Sequence, residues 1–285
     1  RRRLGATVLA CISAAAFGLG ALGCDRESGD REFTLRFAAE LAGQPFACGK
    51  TFSGIGTSNA TVSPLDFRVY IHDVALVRDD GSRVALDVRD DGQWQRDGVV
   101  LLDFEDGSGT CMTGSPDTNL VVKGFAPADS YVGVEFGIGL PSELNHLDGA
   151  TAPAPLNAQG MWWSWQGGYK YIRLDLRPAT QSEFFYHLGA SGCSGSIQDG
   201  FTCNYNNLGK ISLDGFDPER DEIVVDGGQI FANVDVEKRP DGVEATLPGC
   251  MASATDPECP AMLAPLGLSF DSAAPKQTVF SVRGQ

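Results

Sequence analysis

Three histidines, His72, His146 and His187, and one run of tryptophans are the residues of this chain best suited to chemistry. Neutral imidazole carries a lone pair that ligates metals, and its ordinary pKa keeps that lone pair in use near pH 7. Residues 160–171, Gly-Met-Trp-Trp-Ser-Trp-Gln-Gly-Gly-Tyr-Lys-Tyr, hold three of the four tryptophans. Indole is a large apolar body with one N–H donor and no acceptor, so a cluster of them packs a core, forms a contact surface or is itself chemically changed. No serine or cysteine stands in a nucleophile elbow and no His-Glu-x-x-His occurs. The pairs Asp79-Asp80 and Asp90-Asp91 lie beside glycines, where turns need them. The chain is therefore expected to bind and not to catalyse.

The chain opens with three arginines and runs uncharged from Leu4 to Gly23, a basic segment followed by an apolar one, which reads as an export signal over residues 1–23. Ala21-Leu22-Gly23-Cys24 is similar to a bacterial lipobox, with Ala21 where Leu is usual, so Cys24 is the expected lipidation site. Residues 24–32 then form a polar tether. Cys11 lies inside the signal. The six that remain, Cys48, Cys111, Cys193, Cys203, Cys250 and Cys259, are an even set in an exported chain and are expected to form three disulfides. Short loops favour Cys193 with Cys203 and Cys250 with Cys259, leaving Cys48 with Cys111, among many pairings that six cysteines allow. No Cys-x-x-Cys occurs, which removes zinc-knuckle, thioredoxin-type and haem-attachment readings.

Charge narrows the partners further. Lys and Arg number 22 against 37 Asp and Glu, a formal charge of −15, and loss of the three leader arginines takes it to −18. Phosphate binding needs a basic footprint, so nucleic acid is excluded. The acids are spread over many turns and read as a solvated surface.

The elements that must position these residues are strands. Residues 67–77 alternate, a turn follows at 78–81, and 83–88 returns, which predicts a hairpin. Further strands are expected at 33–38, 99–104, 131–138, 169–176, 183–188, 210–213, 222–225, 229–236 and 278–282, with helical periodicity only near 259–266. Residues 33–285 should thus form one disulfide-stapled, all-β antiparallel sandwich. In that fold His72 shares a strand face with Tyr70, opposite Phe67, Val69 and Ile71. His187 ends a strand just before Cys193, and His146 lies in a loop upstream of the tryptophans. An extended 162–165 segment would put Trp163 and Trp165 on one face and Trp162 with Ser164 on the other.

Leu144-Asn145-His146, the Met161 to Lys170 stretch, and Tyr186-His187-Leu188-Gly189 followed by Ser191-Gly192-Cys193 and Cys203 together resemble the MbnP family, also called the metallo-mystery pair four-Cys proteins. The resemblance covers nearly all of residues 33–285. It implies an exported periplasmic or outer-surface protein of a Gram-negative bacterium, associated with copper and paired with MbnH. That partner is a dihaem enzyme related to cytochrome c peroxidases, which oxidises a tryptophan to kynurenine. Related proteins hold Cu(I) through histidines and a kynurenine nitrogen. Ring opening gives indole what it lacks, an arylamine lone pair, and imidazoles plus that amine suit Cu(I) better than carboxylates do. The family motif points to His146 and His187 as ligands, and strand context adds His72. Trp165 is the first candidate for modification, because it precedes a permissive Gln-Gly-Gly turn; Trp163 is the second. A different class of function, a surface-anchored carbohydrate or protein recognition sandwich with a tryptophan platform, also fits the residues.

Overall fold

The computed structural model describes residues 29–180, 183–239, 247–270, 273 and 275–284; Cys24, the export signal and most of the tether lie outside them. Apolar residues recur at alternate positions of the strand Ala60–Val77, so that Phe67, Val69 and Ile71 enter the core between two sheets. The other face of the same strand carries Asp66, Arg68, Tyr70 and His72. It is covered too, by loops, which is why almost the whole strand is buried.

The larger sheet has eleven strands. Its central order is Gly209–Asp214, Gly133–Ile138, Ala60–Val77, Gly168–Pro178, Phe184–Gly189 and Gly249–Cys250. Trp162–Ser164 and Val99–Asp103 pair onto this frame. The smaller sheet runs Phe280–Arg283, Glu222–Asp226, Asp30–Leu41, Val121–Pro127 and Asp87–Val88. Edge-to-face rings join the two layers, Phe37 to Phe136 at 5.9 Å and Phe136 to Phe280 at 5.3 Å. The all-β sandwich is as expected, and so are the three disulfides, Cys48–Cys111, Cys193–Cys203 and Cys250–Cys259. Among the described residues no helix is long and apolar enough to cross a membrane.

Four details differ from the sequence reading. Strand pairing is antiparallel except in two places, where Asp30–Leu41 meets Glu222–Asp226 and Phe184–Gly189 meets Gly249–Cys250 in parallel. Long crossovers separate both pairs in sequence, which is what parallel pairing requires. The first strand starts at Asp30, inside the segment expected to be tether, because backbone pairing of Asp30, Arg31 and Glu32 with residues 125–127 needs no apolar side chain. Residues 229–236 are not a strand. The Asp226 carboxylate accepts from the Gly228 amide at 2.9 Å and starts the 3-10 helix Gly227–Phe231. Finally, Val121–Pro127 and the hairpin Ser191–Ser196 with Gly200–Tyr205 were not anticipated; the hairpin is too rich in Gly and Ser to show alternation. The helical segment is present as Cys259–Leu263 and Ala264–Leu266.

Candidate functional site

A row of ionic residues crosses four strands of the large sheet. Register places Asp103 opposite Arg68, Arg68 opposite Arg173, and Arg173 opposite His187; the next row sets Asp66 opposite Asp175. Alternation puts these side chains on the covered outer face, where charge is costly unless paired. Pairing covers Arg68, Arg173, Asp66, Asp175 and His187, while burial instead raises the pKa of Asp103 to about 8. Arg68 forks onto Asp66, Arg173 reaches Asp66 at 3.1 Å and Asp175 at 2.7 Å, and Asp175 receives His187 Nε2 at 2.7 Å. The cover is tied down by side-chain hydroxyls, with Tyr70 donating to the Pro155 carbonyl and Tyr169 to that of Leu156. Lys170 Nζ closes the edge on the Gly160 carbonyl at 2.7 Å.

His187 is 7% exposed. A carboxylate can only accept, so its partner Nε2 carries the proton, and Nδ1 is left as a buried lone pair with no hydrogen-bond partner. Burial pushes the His187 pKa down, Asp175 opposes this, and Lys170 and Arg173 add to the lowering. The neutral ring with a bare Nδ1 is therefore the stable form at pH 7. Beside it lies Trp163, ring centroids 6.2 Å apart. The indole is wedged between strands: a Cβ on Gly189 would come within 2.5 Å of it and one on Gly167 within 3.3 Å of its own Cβ. Lys170 Nζ stands 5.8 Å from the same ring. Burial, with Arg173 nearby, lowers the lysine pKa to about 8 against the pull of Asp175 and Asp66.

His146 occupies a second neighbourhood. It follows the short helix Ser142–Asn145, its Nδ1–H donates to the Trp165 carbonyl at 2.6 Å, and its ring stacks on Phe201 at 4.5 Å. Nε2 meets the Asn145 amide at 3.3 Å and Cys203 Sγ at 3.5 Å. Asn145 in turn accepts from the Tyr169 amide at 3.0 Å, which locks the Leu-Asn-His loop to the turn of the tryptophan hairpin. A Cβ on Gly168 would strike that asparagine at 2.5 Å, and the φ of +72° there also demands glycine.

His72 belongs to neither. Its Nδ1 donates to the Gly139 carbonyl at 2.9 Å and its ring lies flat over Gly137, whose missing Cβ leaves the space. Burial lowers its pKa. Counting four residues along the strand and two strands across, His72 and His187 are about 16 Å apart, farther than two imidazoles span through one ion. The structure thus does not gather the three histidines. Among the described residues the clusters of metal-binding types are His146 with Cys193 and Cys203, and Glu105 with Cys48 and Cys111. Both pairs of cysteines are disulfides, which offer no thiolate.

The tryptophans also divide differently from simple alternation. A register shift between Trp162 and Ser164 brings Trp162 against Trp165, 6.2 Å apart and edge-on, and leaves Trp163 with His187. Only Trp165 is exposed, at 44%, so the three do not form a flat aromatic platform. Sequence reading missed Asp66, Arg68, Lys170, Arg173 and Asp175. Asp66 with Arg68 and Arg173 with Asp175 carried a local signal, charges at alternate positions within otherwise apolar strands, but their union into one row rests on strand pairing.

In comparison with known proteins, residues 30–252 match the family model described as MbnP. Among solved structures the chain is similar to MbnP from Methylosinus trichosporium, with a TM-score of 0.79 and 27% identity, over 90% of this chain and 99% of that one. No curated protein matches it.

Proposed function

Since the chain belongs to the MbnP family, we propose that it is an exported copper-binding protein in which His187 and an oxidised Trp163 hold Cu(I). The observation that carries this reading is the His187 ring, whose Nε2–H is fixed on Asp175 while a buried Nδ1 lone pair has no partner. Metal-bound histidines are commonly oriented this way, with the second ring nitrogen donating to a carboxylate. Intact Trp163 has no lone pair to offer. Opened to kynurenine it presents an arylamine next to that imidazole, and copper supplies there a soft acceptor for two nitrogen donors.

The remaining residues tune the site. Asp175, held by Arg173, keeps the imidazole in one tautomer. Gly189 and Gly167 admit the large ring. Lys170, hydrogen-bonded to Gly160, puts a cation beside it. Trp165, more exposed, is the better placed of the pair to meet a partner protein, and Trp163 the better placed to become a ligand. The partner in this reading is the dihaem peroxidase-like MbnH, the chain itself is a binding protein and no enzyme, and Cys24 anchors it by lipid after export. His146 is kept for another role, since its bonds lie with Trp165 and Cys203.

The test is a competitive Cu(I) titration of protein produced with and without the dihaem partner, with His187→Ala and Trp163→Phe alongside. Co-produced wild type should bind one equivalent tightly, and each variant should lose at least tenfold in affinity. Equal affinity in all four samples would reject the site.

A further inference from the structure

The hairpin Ser191–Ser196 with Gly200–Tyr205 pairs Cys193 directly opposite Cys203, and their disulfide has the imidazole of His146 against it. His146 Nε2 and the two sulfurs lie within 4.8 Å of one another. The ring is already oriented for coordination, because Nδ1–H is committed to the Trp165 carbonyl and the Nε2 lone pair, which accepts from the Asn145 amide at 3.3 Å, also faces Cys203 Sγ at 3.5 Å. Stacking on Phe201 fixes the ring plane. A groove of about 250 Å³, lined by His146, Tyr171, Phe201 and Cys203 among others, gives access. Of the three disulfides this is the one with both cysteines partly exposed; Cys111, Cys250 and Cys259 are buried.

We propose that Cys193, Cys203 and His146 form a redox-gated site for a soft metal ion, separate from His187 and Trp163 and independent of the copper reading given to them. In the oxidised state the S–S bond leaves no thiolate and the site is closed. A dithiol reductant opens it: two electrons and two protons pass to the cysteines, the S–S bond breaks, and the reductant becomes a disulfide. Binding of Cu(I) or Cd(II) then releases those two protons as both thiolates and Nε2 coordinate. Two thiolates and an imidazole select soft ions over Mg(II) or Ca(II). Exposure makes this bond the first that a reductant reaches. The second cluster does not compete, because Cys111 is buried and the Glu105 carboxylate already accepts from the Gly107 and Ser115 amides.

Cd(II) is the probe, read by its thiolate charge-transfer absorption. Full-length protein is treated briefly with dithiothreitol, freed of reductant without oxygen, and titrated. One equivalent should bind with the band of two thiolates, while untreated protein shows none. His146→Ala, which keeps both cysteines, should weaken binding at least tenfold, and His187→Ala should leave it unchanged. Cys193→Ser with Cys203→Ser should abolish the band with circular dichroism preserved. A reduced protein without the band, a band that survives loss of both cysteines, or indifference to His146→Ala would overturn the proposal. Loss of the band in His187→Ala would also overturn it, by showing a single shared site.

Discussion

His187 donates its Nε2–H to Asp175 Oδ1 at 2.7 Å, and this one bond decides which nitrogen of the ring is left to act. Asp175 is in turn held by Arg173 at 2.7 Å, and Arg173 by Asp66 at 3.1 Å, so the orientation of the imidazole is fixed through three further residues on two strands. Pairing these charges one to the next offsets the cost of burying them, and the same bonds hold the ring in one pose.

Removal of Asp175 should therefore be felt at the metal and in the fold. Asp175→Ala is expected to lower Cu(I) affinity by about 10–100-fold, the usual effect of losing the carboxylate behind a histidine ligand. It should also cost about 3 kcal/mol of stability, the low end for a broken buried pair, since Arg173 retains Asp66. Competitive titration and urea unfolding measure the two effects. Full affinity in a destabilised variant would show that Asp175 only supports the fold.

Stability should depend on pH with two opposite contributions. His72 and His187 have pKa values lowered by burial, so the unfolded chain takes up their protons first; the stability they allow is present above the ordinary histidine pKa, about 6.5, and is lost as pH falls below it. Asp103 behaves in the reverse sense. Burial, with Glu105 and Asp66 nearby, raises its pKa to about 8 against the pull of Arg68, so stability is lost as pH rises from the ordinary carboxylate range, about 4, toward 8. Asp103→Asn should accordingly gain on the wild type between pH 5 and pH 8, by a few degrees in Tm or ~1 kcal/mol. Parallel melting curves for the two proteins across that range would contradict the assignment.

Gly137 tests the place given to His72. A Cβ there would lie 2.4 Å from His72 Cε1, so Gly137→Ala must displace the imidazole or the strand. The expected cost is about 1–3 kcal/mol, as for other overpacked positions. Copper affinity should not change, because His72 is too distant from His187 to share an ion. A loss of affinity without a loss of stability would return His72 to the metal site.

The fold was legible where strands are half-buried and alternate, as at Phe67, Val69 and Ile71, and where cysteines close short loops. It was illegible at Asp226-Gly227-Gly228, where a side-chain cap overrides the β-branched and aromatic residues that follow, and in the hairpin around Cys193 and Cys203, which is held by its disulfide and not by a buried face. For the site, residue type identified the histidines and tryptophans, yet not how they divide. That division depends on a single register shift after Trp162, which defeats any count by alternate positions and turns Trp163, not Trp165, toward His187. The ionic row behind His187 needed the pairing of four strands, which no local pattern supplies.

Peptide mapping by mass spectrometry, on protein made together with the dihaem enzyme proposed as its partner, decides whether Trp163 is the modified ligand. The peptide containing residues 162–165 should be modified at Trp163, with one oxygen gained and one carbon lost; Trp165→Phe should remain modified, and copper content should follow the modified fraction and vanish in His187→Ala. Modification confined to Trp165, or full copper loading with Trp163 intact, would contradict that role for Trp163.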